Sequence, residues 1–151
     1  MVIITKNELI ISNLRENARR HLKDISASVG MPVSTVYEKL KSLSGSYIRR
    51  FTCILDFDRL GYPVRAKIMI KAKKDGKESL AAFLSKSECM NSVFRINNGY
   101  DFSAEGIFRS MQDVESFLEE MEAKEKVQRV DVFYVIENLK EEAFMSNPLL
   151  K

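Results

Sequence analysis

The side chains best suited to chemistry fall into two groups. The first is cationic and hydroxylic: Arg19 and Arg20, then Ser34, Thr35, Tyr37, Glu38 and Lys41, then Arg49 and Arg50. Guanidinium and ammonium groups hold phosphates without reading sequence, and Ser and Thr hydrogen-bond phosphates or base edges. Tyr37 can touch a phosphate or a thymine methyl, and Glu38 can accept from cytosine or pair with Lys39 or Lys41 on its own helix. Arg20 can equally pair with Glu16. The second group is Asn98-Gly99-Tyr100-Asp101. Backbone N–H groups at such a turn suit a carboxylate and Asp101 an ammonium group, so the loop can hold a small zwitterion. Alternatively, Asp101 caps the turn and Tyr100 packs at a contact between copies of the chain. Glu105 is expected to face the same cleft.

Neither group is a set for breaking bonds. His21 is the single histidine, and Cys53 and Cys89 are the only cysteines. They make neither a zinc site nor a disulfide framework, and they suit a reduced cytoplasm. There is no glycine-rich phosphate loop, no nucleophile elbow and no histidine pair for a metal. Glu115, Glu119, Glu120 and Glu122 read as a solvated helix face. No catalytic residue, metal or cofactor is expected. No apolar run approaches the roughly 18 residues of a membrane span, and Met1–Lys6 lacks the pattern of a secretory signal.

The elements that must carry these groups can be read from charge and periodicity. The 151 residues are 45% hydrophobic and 30% charged, enough for a folded core. The net charge of +3 divides unevenly: residues 1–50 hold nine Lys/Arg against four acids, +5, and the remainder is −2. That pattern suits a small polyanion-binding head on a nearly neutral body. In the head, Thr5 and Glu8 have capping-box spacing before Leu9, Ile10 and Leu14. Leu22, Ile25 and Val29 predict a second helix, closed by Gly30. Pro32 then starts a third, with Val33, Val36, Leu40 and Leu43 inward. Two short helices on a tight glycine turn make a helix-turn-helix pattern. Tyr47–Leu55 is β-prone and predicts a wing or a strand leading away.

Beyond residue 62, Val64, Ala66, Ile68, Ile70 and Ala72 alternate with polar residues as in a half-buried strand. A helix around Leu80, Phe83 and Leu84 follows, then strands at Val93–Ile96 and Phe102–Phe108. Ser110–Asp113 opens a helix that turns Val114, Phe117, Leu118 and Met121 inward, and a last strand runs from about Val127 to Ile136. The order β-α-β-β-α-β is ferredoxin-like, an antiparallel sheet with two helices on one face. On the last strand Val130, Val132, Tyr134 and Ile136 can face the helices, which leaves Phe133 and Val135 on the other side. An apolar outer face calls for a partner, most simply a second copy of the chain.

Three segments carry a family resemblance: Asp24–Met31 followed by Ser34–Leu40, the connector from Tyr47-Ile48 to Leu60-Gly61, and Gly99-Tyr100-Asp101. In them the chain resembles the Lrp/AsnC family of prokaryotic transcription regulators. The resemblance implies an α+β protein with three parts. Residues 1–50 would be a winged helix-turn-helix that binds double-stranded DNA, 51–62 a hinge strand, and 63–151 a ferredoxin-like domain for effector binding and oligomerisation. It also implies homodimers, larger assemblies such as octamers, and a small effector such as an amino acid held at Asn98, Gly99, Tyr100 and Asp101. Two positions depart from the family pattern: Leu43–Ile48 is one residue short, with the glycine at Gly45, and Asn98 stands where a glycine is usual. Two alternatives follow. One is an effector-binding, oligomerising module without specific DNA binding. The other is a siroheme-decarboxylase-like enzyme, against which stands the lack of histidine in the C-terminal half.

Overall fold

The computed structural model describes residues 5–147. Residues 1–4, part of the stretch read as lacking a secretory signal, lie outside the described residues, as do 148–151. The chain forms two compact units, one made of residues up to Ile54 together with the tail from Leu139, the other of Leu55–Asn138.

The first unit has three helices, α1 (Lys6–Glu16), α2 (Leu22–Val29) and α3 (Val33–Leu43). Thr5 Oγ1 accepts from the Glu8 N–H at 3.2 Å and the Thr5 N–H donates to Glu8 Oε2 at 2.6 Å, so α1 begins on a full capping box. Gly30 ends α2 at φ +63°, a left-handed conformation that costs glycine little. Lys6 Nζ donates to the Val29 carbonyl and so covers the open end of α2. Ile10, Leu14, Ile25, Val29, Val36 and Leu43 form the buried core. Val33, expected inward, is 40% exposed. As the first residue of α3 it has no preceding turn for its side chain to lie over.

The β-prone stretch after α3 does not form strands. Gly45 (φ +86°) lets the chain fold back, and the N–H groups of Ser46, Tyr47 and Ile48 all donate to the Leu43 carbonyl at 3.0–3.2 Å. Residues 49–56 have no regular secondary structure, and 57–61 make a turn closed by Tyr62 N–H on the Phe57 carbonyl at 2.9 Å. Among the described residues there is no wing hairpin and no hinge strand. A strand requires a ladder partner, and among the described residues this segment has only the isolated bridge of Ile48 to Ser44.

In the second unit the elements are β1 (Val64–Ala72), α4 (Lys77–Lys86), β2 (Met90–Arg95), β3 (Phe102–Phe108), α5 (Met111–Lys124) and β4 (Val127–Tyr134). The sheet is antiparallel in the order β2-β3-β1-β4. Ala66, Ile68, Ile70, Ala72, Phe102, Ala104 and Phe108 share one face with Leu80, Leu84, Val114, Phe117 and Met121. β4 stops short of its expected end: Tyr134 is 39% exposed and Ile136 fully so. The cause is in β1. The last ladder bond runs from Val135 N–H to the Arg65 carbonyl at 2.9 Å, and Pro63, with no N–H, stands just before the start of β1.

Gly106 occupies the tightest position on β3. A Cβ there would lie 2.4 Å from the Phe108 ring and 2.8 Å from Met90 Cε. Gly106→Ala should lower the unfolding free energy by about 1–3 kcal/mol through overpacking, measured by denaturant unfolding of both proteins.

Candidate nucleic-acid and effector sites

On α3, burial of Val36 and Leu43 turns Ser34, Tyr37, Glu38 and Lys41 outward and exposed, with Tyr37 at 53%; Thr35 is half-buried. Among the described residues Glu38 has no ion pair, and Lys39 donates to Asn7 Oδ1 at 3.2 Å. Arg49 and Arg50 are exposed on the irregular segment after the Gly45 turn, and Arg19 on the turn after α1. Arg20 differs. Its Nη1 donates to Asn13 Oδ1 at 2.6 Å and to Glu16 Oε2 at 2.7 Å. Asn13 is fully buried, and its Nδ2 donates to the Leu9 carbonyl at 2.8 Å and to Ser28 Oγ at 3.2 Å. Arg20 thus closes a polar link between α1 and α2. His21 is the N-cap of α2 and makes no side-chain capping bond.

The second group lies in the β2–β3 connection. Asn98 (φ +66°) and Gly99 (φ +101°) are successive left-handed residues, and both are exposed. Asn accepts that conformation more readily than most residues. The turn is pinned on both sides. Asp101 accepts from Lys77 Nζ at 2.6 Å, has Lys71 Nζ at 3.4 Å, and takes the Ala72 N–H on Oδ2 at 3.1 Å. The bond from Lys77, with Ala72 and the charge of Lys71, holds the Asp101 carboxyl below the usual carboxylate range against its burial. Both of its oxygens are engaged by the chain itself. Tyr100 Oη donates to Asp131 Oδ2, Arg129 bonds the same oxygen at 2.7 Å, and the guanidinium lies 5.2 Å from the Tyr100 ring centre. The bond to Asp131 pushes the phenol up and the Asp131 carboxyl down. Sequence reasoning missed Arg129 and Asp131, although strand alternation sets them on the same face as Phe133.

Glu105 does not join this loop. It is 3% exposed on the sheet face opposite the helices, held by Arg65 at 3.1 Å, Asn91 at 2.7 Å and Lys67. Its position on β3 opposite Lys67 on β1 decides this. An open cavity of about 460 Å³ beside Phe83, Cys89 and Phe117 includes none of the expected effector residues. Among the described residues no cluster of His, Cys, Asp or Glu could hold a metal, and no helix is long and apolar enough to cross a membrane.

A basic three-helix unit joined to a ferredoxin-like α+β unit is the architecture of a two-part chain with a head and a sheet body. Residues 65–144 match the Lrp/AsnC ligand binding domain. The HTH-type transcriptional regulator FL11 of Pyrococcus abyssi is 30% identical, over 87% of this chain and 88% of its own length. An uncharacterized HTH-type transcriptional regulator of Pyrococcus furiosus is 26% identical, over 88% of this chain and 90% of its own. In fold the chain is similar to a Neisseria meningitidis transcriptional regulator solved as an L-Met complex (TM-score 0.86, 22% identity, 93% and 94% of the two chains). It is also similar to AsnC of E. coli (TM-score 0.80, 19% identity, 93% and 97%). The chain belongs to the Lrp/AsnC family of transcriptional regulators.

The Glu105 cluster generates a pH prediction. Burial raises the Glu105 pKa, but hydrogen bonds from Arg65, Lys67 and Asn91 outweigh it and bring the value down to about 2. A carboxyl depressed on folding stabilises above its unfolded pKa, and that stability is lost as pH falls toward the folded value. Unfolding free energy should therefore decline from about pH 4.5 to about pH 2. Glu105→Gln should remove that part of the acid slope and cost about 1–3 kcal/mol at neutral pH, by leaving Arg65 and Lys67 without their carboxylate. Denaturant titrations at a series of pH values measure both.

Proposed function

We propose that the chain is a sequence-specific DNA-binding regulator that acts in the cytoplasm as a dimer, or an assembly of dimers, and responds to a small effector such as an amino acid. The observation that carries this is α3: a helix that follows a left-handed glycine turn and keeps Ser34, Tyr37, Glu38 and Lys41 outward on a unit of strong positive charge. On this reading the three-helix unit is a helix-turn-helix, and α3 enters the major groove, where base edges are distinguishable. Arg49, Arg50 and Arg19 contact phosphates. Arg20, committed to Asn13 and Glu16, helps to shape the head.

Pairing is assigned to the open sheet face, where Phe94 and Phe133 are 60% and 59% exposed. A dimer would set two recognition helices on half-sites about one helical turn, or a multiple, apart. The effector reading rests on Asn98–Asp101. With the Asp101 carboxylate engaged, the backbone N–H groups of the exposed residues Asn98 and Gly99 suit a carboxylate. The L-Met in the Neisseria protein supports an amino acid as the first ligand to try.

The loop at Gly45, with no wing hairpin among the described residues, favours a second reading: an effector-binding module whose head binds DNA without sequence preference. A binding assay on selected and random duplexes over a range of salt separates the two. Under the first reading, Arg49→Ala with Arg50→Ala weakens binding to both duplexes and flattens the salt slope by about two per chain. Tyr37→Ala instead changes the preferred sequence. Binding only at low salt, equal on both duplexes, establishes the second reading.

A further inference from the structure

The tail from Leu139 belongs with the three helices and not with the strand it follows. A side chain of α1 ties it there. Arg15, in the last turn of α1, donates from Nε to the Phe144 carbonyl at 3.0 Å, from Nη1 to Glu142 Oε2 at 3.0 Å, and from Nη2 to the Glu142 carbonyl at 2.6 Å. Two of these three bonds go to main-chain oxygens, which distinguishes the contact from an ordinary exposed ion pair of small worth. The tail is also bent into shape to receive them. Glu142 (φ +46°) and Met145 (φ +57°) are both left-handed without being glycine, a conformation that persists only where surroundings enforce it. Ser146 closes the turn on the Ala143 carbonyl through Oγ at 2.9 Å. Apolar burial contributes little, since Phe144 and Leu139 are 82% and 86% exposed. Arg15 thus supplies a polar tie from α1 to this turn.

Between the last ladder bond at Val135 and the clip at Glu142 lie six residues, 136–141, which span at most about 20 Å. We propose that the tail is a strap: clipped to the end of α1 by the hydrogen bonds of Arg15, it gives the helical head a second tether to the sheet unit, through which the state of the sheet is passed to the head. Residues 55–63 supply the first link. With both in place, a shift of the end of β4 larger than the slack in 136–141 must either carry α1 with it or release the clip. The transmission half of the proposal rests on the DNA-binding reading above; the clip itself does not.

The bond after Phe144 reports on the clip, because its carbonyl is the one that Arg15 Nε binds. Chymotrypsin is applied to the full chain, with products followed by mass spectrometry. Arg15→Ala should speed cleavage after Phe144 about tenfold or more while cleavage at Phe51 stays at the parent rate, which excludes general unfolding. Glu142→Ala should speed it less, because both main-chain bonds survive. Parent and Arg15→Ala proteins cut after Phe144 at equal rates, or a parent cut as fast as a free peptide of residues 139–151, would overturn the clip. For transmission, DNA affinity is measured with and without each of the twenty amino acids. Arg15→Ala should keep the ligand-free affinity within about twofold and lose most of the ligand-induced change. An undiminished change, or none in the parent, overturns transmission. A parent with no specific DNA binding defeats the regulator reading instead, and the cleavage result still decides the clip.

Discussion

The constraint on which the sheet unit depends is that both of its helices lie on one side. β1 is one of the two central strands, bonded to β3 and β4, and its alternation assigns Ala66, Ile68, Ile70 and Ala72 to the helices and Arg65, Lys67, Met69 and Lys71 to the other face. That second face must satisfy its own polar groups. It does so by drawing Arg65, Lys67 and Asn91 around a carboxylate that is 3% exposed. A charge so buried is tolerable only when its partners are present. The apolar residues of the same face, Phe94 and Phe133, stay exposed. The register of β1 also positions the loop, since Asp101 is bound to the Ala72 N–H at its end and donates its own N–H to the Ile70 carbonyl at 2.9 Å.

The head solves a different problem. Six buried apolar residues are a small core, and small cores are marginal on their own. Polar ties add to it: the Lys6 cap on α2, the Asn13 hub shared by Leu9, Ser28 and Arg20, and the Arg15 clip on the tail. Each uses a charged or amide group near α1 to hold backbone or side chains elsewhere in the unit. The positive charge of the first fifty residues is consequently divided. Arg15 and Arg20 are committed within the unit, while Arg19, Lys41, Arg49 and Arg50 stay exposed.

Elements whose signal is local were legible in the sequence. The capping box at Thr5, the helix start at Ser110 and the alternation of β1 each involve residues a few positions apart, and each forms as read. Elements that depend on a distant partner were not. Among the described residues Tyr47–Leu55 has β-forming residues but only an isolated bridge from Ile48 to Ser44, and β4 ends at Tyr134 because of what β1 lacks. The site residues divide in the same way. Exposure of Ser34, Tyr37 and Lys41 follows from helical spacing. The engagement of Asp101 by Lys71 and Lys77, the Arg129–Asp131 hold on Tyr100 and the Arg15 clip join residues 24 to 129 positions apart. No spacing rule reaches that far.

The claim at the centre of this account is that α3 of a paired head reads DNA sequence and that a small ligand on the sheet unit alters that reading. Selection of bound duplexes from a random pool by the full chain, at moderate salt and with or without each amino acid, tests it most directly. The account predicts enrichment of two related half-sites about one helical turn, or a multiple, apart, with recovery changed by at least one amino acid. A pool that shows no enriched sequence at moderate salt would contradict it.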